Sequence, residues 1–138
     1  MRLLFSMLAV SLLFGCASSP TDFGKAKQIK QQSNILDSSY SVRFDDYSKI
    51  TIKRDSGFTG SGCSSRIYVD GNKLADLDVS EFFSFYLPSG NHIISAHPNG
   101  LCGGGMFEVG VTVDKNESLN YRIGYGSSGD YFIVPTAF

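Results

Sequence analysis

From residue 48 onward the chain alternates apolar and polar positions in short runs, each bounded by glycine, proline, asparagine or aspartate. In residues 49–54 the alternation puts Ile50 and Ile52 on one face and Lys49, Thr51 and Lys53 on the other, so the isoleucines point inward and the polar set outward. Residues 66–69 repeat the pattern with Ile67 and Val69, Asp70-Gly71 supplies a tight hairpin signal, and residues 73–77 return. Residues 82–87 are apolar on both faces, Phe83, Phe85 and Leu87 on one and Phe82 and Tyr86 on the other, which predicts a central, doubly covered strand. Further strands are predicted over 92–97, 106–113, 119–125 and 131–134. The clearest period of two is Phe107, Val109, Val111 and Val113. Seven or eight short strands at intervals of about ten residues predict an all-β domain, a small antiparallel β-sandwich or partly open barrel.

The N-terminal third reads differently. Arg2 precedes an apolar run, Leu3 to Phe14, then Gly15 and Cys16. A run of about a dozen residues is too short to cross a bilayer as a helix and fits the apolar region of an export signal. The ending Leu13-Phe14-Gly15-Cys16 resembles the bacterial lipobox. That resemblance implies cleavage before Cys16, a diacylglycerol on its thiol and, because Ala17 rather than aspartate follows, sorting to the outer membrane of a Gram-negative envelope. Several acyl chains at about 0.8 kcal/mol per buried methylene anchor a protein stably where one does not. The predicted layout is therefore a signal over 1–15, a lipidated Cys16 with a polar tether over 16–47, and a β domain over 48–138. Within the tether, Ser18, Ser19, Pro20 and Gly24 offer little to pack. Asp22 is an acceptable N-cap for a short helix bearing Lys25, Lys27 and Lys30, and Tyr40, Val42 and Phe44 alternate as a first strand would.

Composition changes this picture only at the cysteines. A formal charge of −1 offers nucleic acid no electrostatic footprint. Three cysteines leave one over in an exported chain. Lipidation of Cys16 leaves Cys63 and Cys102, which an oxidising compartment joins. Closing a loop of about 40 residues contributes roughly 3–4 kcal/mol in the chain-entropy model.

Catalytic chemistry is hard to assemble from what remains. His92 and His97 lie five apart, so a regular strand points them to opposite faces and they share no metal, and Cys63 and Cys102 lack further ligands at suitable spacing. Asp70, Asp76, Asp78 and Glu81 cluster in sequence, but a glycosidase needs two carboxylates across a cleft, and turns already account for Asp70, Asp78 and Glu81. The glycines of residues 57–62 match no phosphate-binding fingerprint. Cys102-Gly103-Gly104-Gly105 is the most unusual stretch, because three consecutive glycines oppose order unless a tight bend or a contact uses them. Gly103, Gly104 and Gly105 are accordingly a candidate contact loop.

The stretch Tyr68-Val69-Asp70-Gly71, followed by Leu87-Pro88-Ser89-Gly90-Asn91-His92, resembles the PEGA-type surface module of small bacterial β domains. With Gly60-Ser61-Gly62-Cys63, Cys102-Gly103-Gly104-Gly105 and the terminal Pro135-Thr136-Ala137-Phe138, residues 49–138 as a whole also resemble a set of short proteobacterial lipoproteins whose role is unassigned. The resemblance implies a β-sandwich envelope module and carries no catalytic residue, although the cysteine pair and glycine triplet lie outside the PEGA pattern. The expected function is that of a non-enzymatic outer-membrane lipoprotein, held by its lipid anchor, that presents a periplasmic β domain for binding or supporting an envelope protein partner. No cofactor and no small-molecule substrate is expected. The alternative from another class is an inhibitor or immunity-type protein against an envelope-active hydrolase such as lysozyme, acting through the loop around Cys102 and Gly103 to Gly105.

Overall fold

The structure, a computed structural model, describes residues 17–137. The expected signal over 1–15 and the lipidation site Cys16 lie outside the described residues. Within them the chain forms nine strands and no α-helix: β1 Lys27–Gln28, β2 Ser48–Arg54, β3 Ser65–Val69, β4 Asn72–Leu77, β5 Glu81–Leu87, β6 Gly90–Pro98, β7 Phe107–Val113, β8 Ser118–Tyr125 and β9 Tyr131–Pro135. These pair into two sheets, β1-β5-β2-β8-β9 and β4-β3-β6-β7, packed as an all-β sandwich.

The chain passes between the two sheets after every one or two strands, and each passage keeps one apolar face of each strand inside. Ile50 pairs with Phe85 and Ile52 with Phe83 across β2 and β5, and all four are buried. Ile67, Val69, Leu77, Ile94, Ala96, Val111 and Val113 oppose them from the other sheet, and Tyr121, Ile123 and Ile133 extend the same core. The β3–β4 hairpin turns at Asp70 and Gly71, with φ of 49° and 81°. Positive φ at both central residues is what a two-residue hairpin requires, and aspartate and glycine tolerate it. Asp70 is further held by His92, whose Nδ1 lies 2.7 Å from its Oδ2, and by the Ile93 N–H.

Three local expectations give way. The sheets are not purely antiparallel: β2 and β8 run parallel, Lys49 beside Ser118 through Arg54 beside Ile123, as do β1 and β5. Parallel neighbours need a long crossover, and the connection from β2 to β8 supplies one by threading both sheets. The expected strand around Tyr40 is a 3-10 helix, Ser38–Ser41. Asp37 caps it by accepting the Ser39 N–H at 2.9 Å and the Ser39 hydroxyl at 2.6 Å, a local side-chain bond that competes with strand formation. The helix expected from Asp22 closes after one turn. Lys25 and Ala26 donate to the Asp22 carbonyl, and the chain then straightens into β1 along the edge of β5.

The segment expected as a tether lies against the sandwich. Ser19 bridges Ser56, β1 extends the sheet edge, Ile35 bridges Ala75, and Leu36 and Asp37 donate to the Leu74 carbonyl. Residues 26–42 thus run from the edge of one sheet to the edge of the other, and Ile29, Ile35 and Tyr40 pack on the core along the way. Few apolar residues suffice here, because backbone bonding to exposed strand edges supplies the rest.

Candidate functional site

The end of the sandwich where β2 finishes is built on three charged residues in succession. Ile50, Ile52 and Arg54 share one face of β2, so the Arg54 side chain enters the interior at the end of the core. Its guanidinium donates to the carbonyls of Cys63, Gly60 and Leu77. Five fixed N–H donors make arginine suited to collecting carbonyls in this way. Burial pushes the group below its ordinary pKa. The loop of residues 55–64 is in this way folded over a buried cation.

The alternation predicts that Lys53 faces outward. It does leave the core face, but it is 0% exposed, because the N-terminal segment covers it. Its ammonium donates to the Thr21 carbonyl and stands 4.3 Å from the centre of the Phe23 ring. Burial lowers its pKa, with Asp55 and Asp22 opposing that shift. Asp55 is also buried. Burial raises its pKa, the Arg122 guanidinium pulls the other way, and Arg122 Nη1 donates to its Oδ2 at 2.7 Å. Ser18 completes the group. Its N–H donates to the Tyr125 carbonyl at 2.9 Å, and its hydroxyl accepts the Tyr125 N–H at 2.7 Å. Gly124 leaves room for this, since a Cβ there would stand 2.5 Å from both Asp55 Oδ2 and Ser18 Oγ.

Cys63 and Cys102 form a disulfide across 39 residues of sequence. Ser65 pairs with Pro98, and Asn99 donates to the Ser64 carbonyl, so the bond continues the β3–β6 ladder beyond its last rung. It staples the loop of residues 55–64 to that of residues 99–106. Within the glycine triplet only Gly104 is bound by geometry: its φ is +126°, and a Cβ would meet Pro98 Cγ at 3.0 Å, whereas Gly103 and Gly105 face open space. The alternation of residues 49–54 does not by itself bring Lys53, Arg54 and Asp55 together as a group. The signal was there in three successive charges ending a strand of otherwise apolar inward positions.

Two of the stapled loops' residues stand out into solvent. Phe58 is 89% exposed and Leu101 104% exposed. Phe107, where the second loop enters β7, and the preceding Met106 are exposed too, although Val111 and Val113, on the same face as Phe107, are buried. The apolar face of β7 therefore continues past the edge of the core. Elsewhere, a cavity of about 430 Å³ is lined by Lys27, Lys30, Asp78 and Glu81, a balanced set of charges.

His92 and His97 sit apart on β6, His92 engaged with Asp70 and the Pro88 carbonyl. Asp76 is taken up by Arg66, 2.8 Å away, and Glu81 by the Asp78 N–H. Among the described residues no three histidine, cysteine or acidic side chains gather as a metal-binding set, and no helix is long and apolar enough to cross a membrane. In comparison with known proteins, the chain matches no family model and no curated protein sequence.

Proposed function

We propose that the protein is a non-enzymatic lipoprotein of the outer membrane, anchored through Cys16 and presenting a disulfide-stapled β-sandwich to the periplasm, where it binds or supports an envelope partner. The observation that carries this reading is the division of the cysteines. Cys63 and Cys102 are bonded to each other, and the third is Cys16, which ends the lipobox-like Leu13-Phe14-Gly15-Cys16. A disulfide belongs to an oxidising compartment such as the periplasm, and a lipobox resemblance names the same side of the inner membrane. The PEGA-like stretches Tyr68 to Gly71 and Leu87 to His92 support an envelope module: each supplies a turn of the sandwich, one joining β3 to β4 and the other β5 to β6.

The test is fractionation of cells expressing the native chain or Cys16→Ser. The native chain is expected with the outer membrane and Cys16→Ser in the soluble periplasm. Recovery of Cys16→Ser with the outer membrane overturns the anchor.

A further inference from the structure

The stapled loops and the start of the described chain leave the sandwich at the same end. Ala17 and Ser18 lie directly on the loop that carries Phe58: a Cβ at Gly57 would stand 3.0 Å from Ser18 Cα and 3.6 Å from the Ala17 carbonyl oxygen. Ser18 is fixed there by Tyr125, and Ser19 by paired bonds with Ser56. Cys16 immediately precedes Ala17 in the sequence, and consecutive Cα atoms of a chain ordinarily stand about 3.8 Å apart. A lipid on the residue that precedes Ala17 would therefore be attached close to the loop that carries Phe58.

The loops are suited to what such a lipid would bring them against. Asp55 is the one charged residue of segments 55–64 and 99–106, and it is buried against Arg122. Every exposed residue of both segments is uncharged, and the two most exposed large apolar side chains among the described residues, Phe58 and Leu101, belong one to each. Charge at this end lies on the neighbouring turns, at Asp78 between β4 and β5 and at Asp130 between β8 and β9, both exposed, while the opposite end carries Asp46, Asp70, Asp114, Lys115 and Glu117 around its turns, and Lys115 pairs with Asp46 in solvent. Apolar tips without charge, held on a cross-linked pair of loops, enter the boundary between headgroups and acyl chains favourably, to a depth of about 5–10 Å for interfacial segments.

We infer that Phe58 and Leu101 are membrane-contact residues: the disulfide-stapled loops dip into the leaflet that holds the Cys16 lipid, and so fix the sandwich upright with its Asp70 end directed away from the bilayer. This rests on the lipid anchor proposed above. It gives the disulfide a role beyond stability, because Cys63–Cys102 joins the two loops that carry the apolar tips.

The chain contains no tryptophan, so single substitutions report on one place each. Full-length Phe58→Trp, Leu101→Trp and Ser89→Trp, each purified with its lipid, are reconstituted into vesicles of phosphatidylethanolamine and phosphatidylglycerol carrying brominated acyl chains. Ser89 lies in the β5–β6 turn at the opposite end. The expected result is blue-shifted emission, most of it lost to bromine quenching, for Phe58→Trp and Leu101→Trp, with Ser89→Trp emission retained. If the proteins float with the vesicles but the loop variants are quenched no more than Ser89→Trp, the loops face water or a protein and the inference is overturned while the anchor stands. If the proteins fail to float with the vesicles, the anchor itself is overturned and the inference falls with it.

Discussion

Ser18 is bonded three times to Tyr125, through its N–H at 2.9 Å, its hydroxyl as donor at 3.0 Å and its hydroxyl as acceptor at 2.7 Å. One residue near the start of the described chain thus completes the free end of β8, 107 positions away. The consequence is that the N-terminal segment is part of the domain, and its point of departure is fixed relative to the stapled loops.

Gly124 is the position on which that contact depends. Gly124→Ala places a methyl group where Ser18 Oγ and Asp55 Oδ2 now lie, with Phe132 Cζ at 2.8 Å behind them. Overpacking of this kind costs about 1–3 kcal/mol. The expected outcome is a lower urea midpoint together with faster proteolytic cleavage between residues 17 and 26. Unchanged cleavage there contradicts the role given to Ser18.

Arg54 organises the loop that bears Phe58. Arg54→Met keeps most of the apolar stem and leaves the carbonyls of Gly60, Cys63 and Leu77 without their donor. Hydrogen bonds to a charged group and the unsatisfied acceptors left behind put the loss at about 3 kcal/mol in urea unfolding. Hydrogen exchange is expected to accelerate in residues 58–63, whose turn bonds Ser61 to Phe58 and Cys63 to Gly60.

The glycine triplet separates into one constrained member and two free ones. Gly104→Ala is expected to cost about 1–3 kcal/mol, because φ of +126° is strained for any L side chain and Pro98 crowds the site. Gly103→Ala and Gly105→Ala meet open space and are expected to change stability by less than about 0.5 kcal/mol. Thermal denaturation of the three variants checks the order.

Much of the sandwich was legible because its signals are local. Ile50, Ile52, Phe83, Phe85, Tyr121 and Ile123 alternate as the pleat demands and are buried, and Asp70-Gly71 turns as its φ values allow. What was not legible depends on partners far along the chain. Lys53 looks like any outward lysine until Thr21 and Phe23, some thirty residues earlier, close over it. The parallel pairing of β2 with β8 follows from how two sheets are threaded, which no run of residues records. Tyr40, Val42 and Phe44 alternate correctly, yet one carboxylate at Asp37 redirects the backbone into a turn.

Alkaline pH probes the same end of the core. Burial raises the pKa of Tyr121, Tyr125 and, most strongly, Tyr131 above the ordinary 10.0. The unfolded chain then releases these protons first, so stability is level below about pH 10 in this respect and falls as pH rises beyond it. Lys53 acts with the opposite sign. Its folded pKa is lowered from 10.5, so its contribution grows with pH up to that value and is flat above it. Urea unfolding followed above about pH 10 is expected to show declining stability, with a shallower decline for Tyr131→Phe. An identical slope in both proteins contradicts the assignment.

The central claim is that one cysteine holds the lipid while the other two hold each other, and intact mass measured without reduction tests both halves on the native protein. The expected species begins at Cys16, carries acyl groups on that residue and lacks the two hydrogens removed by the Cys63–Cys102 bond. A mature chain that begins elsewhere or carries no acyl mass, or one with free thiols at Cys63 and Cys102, contradicts it.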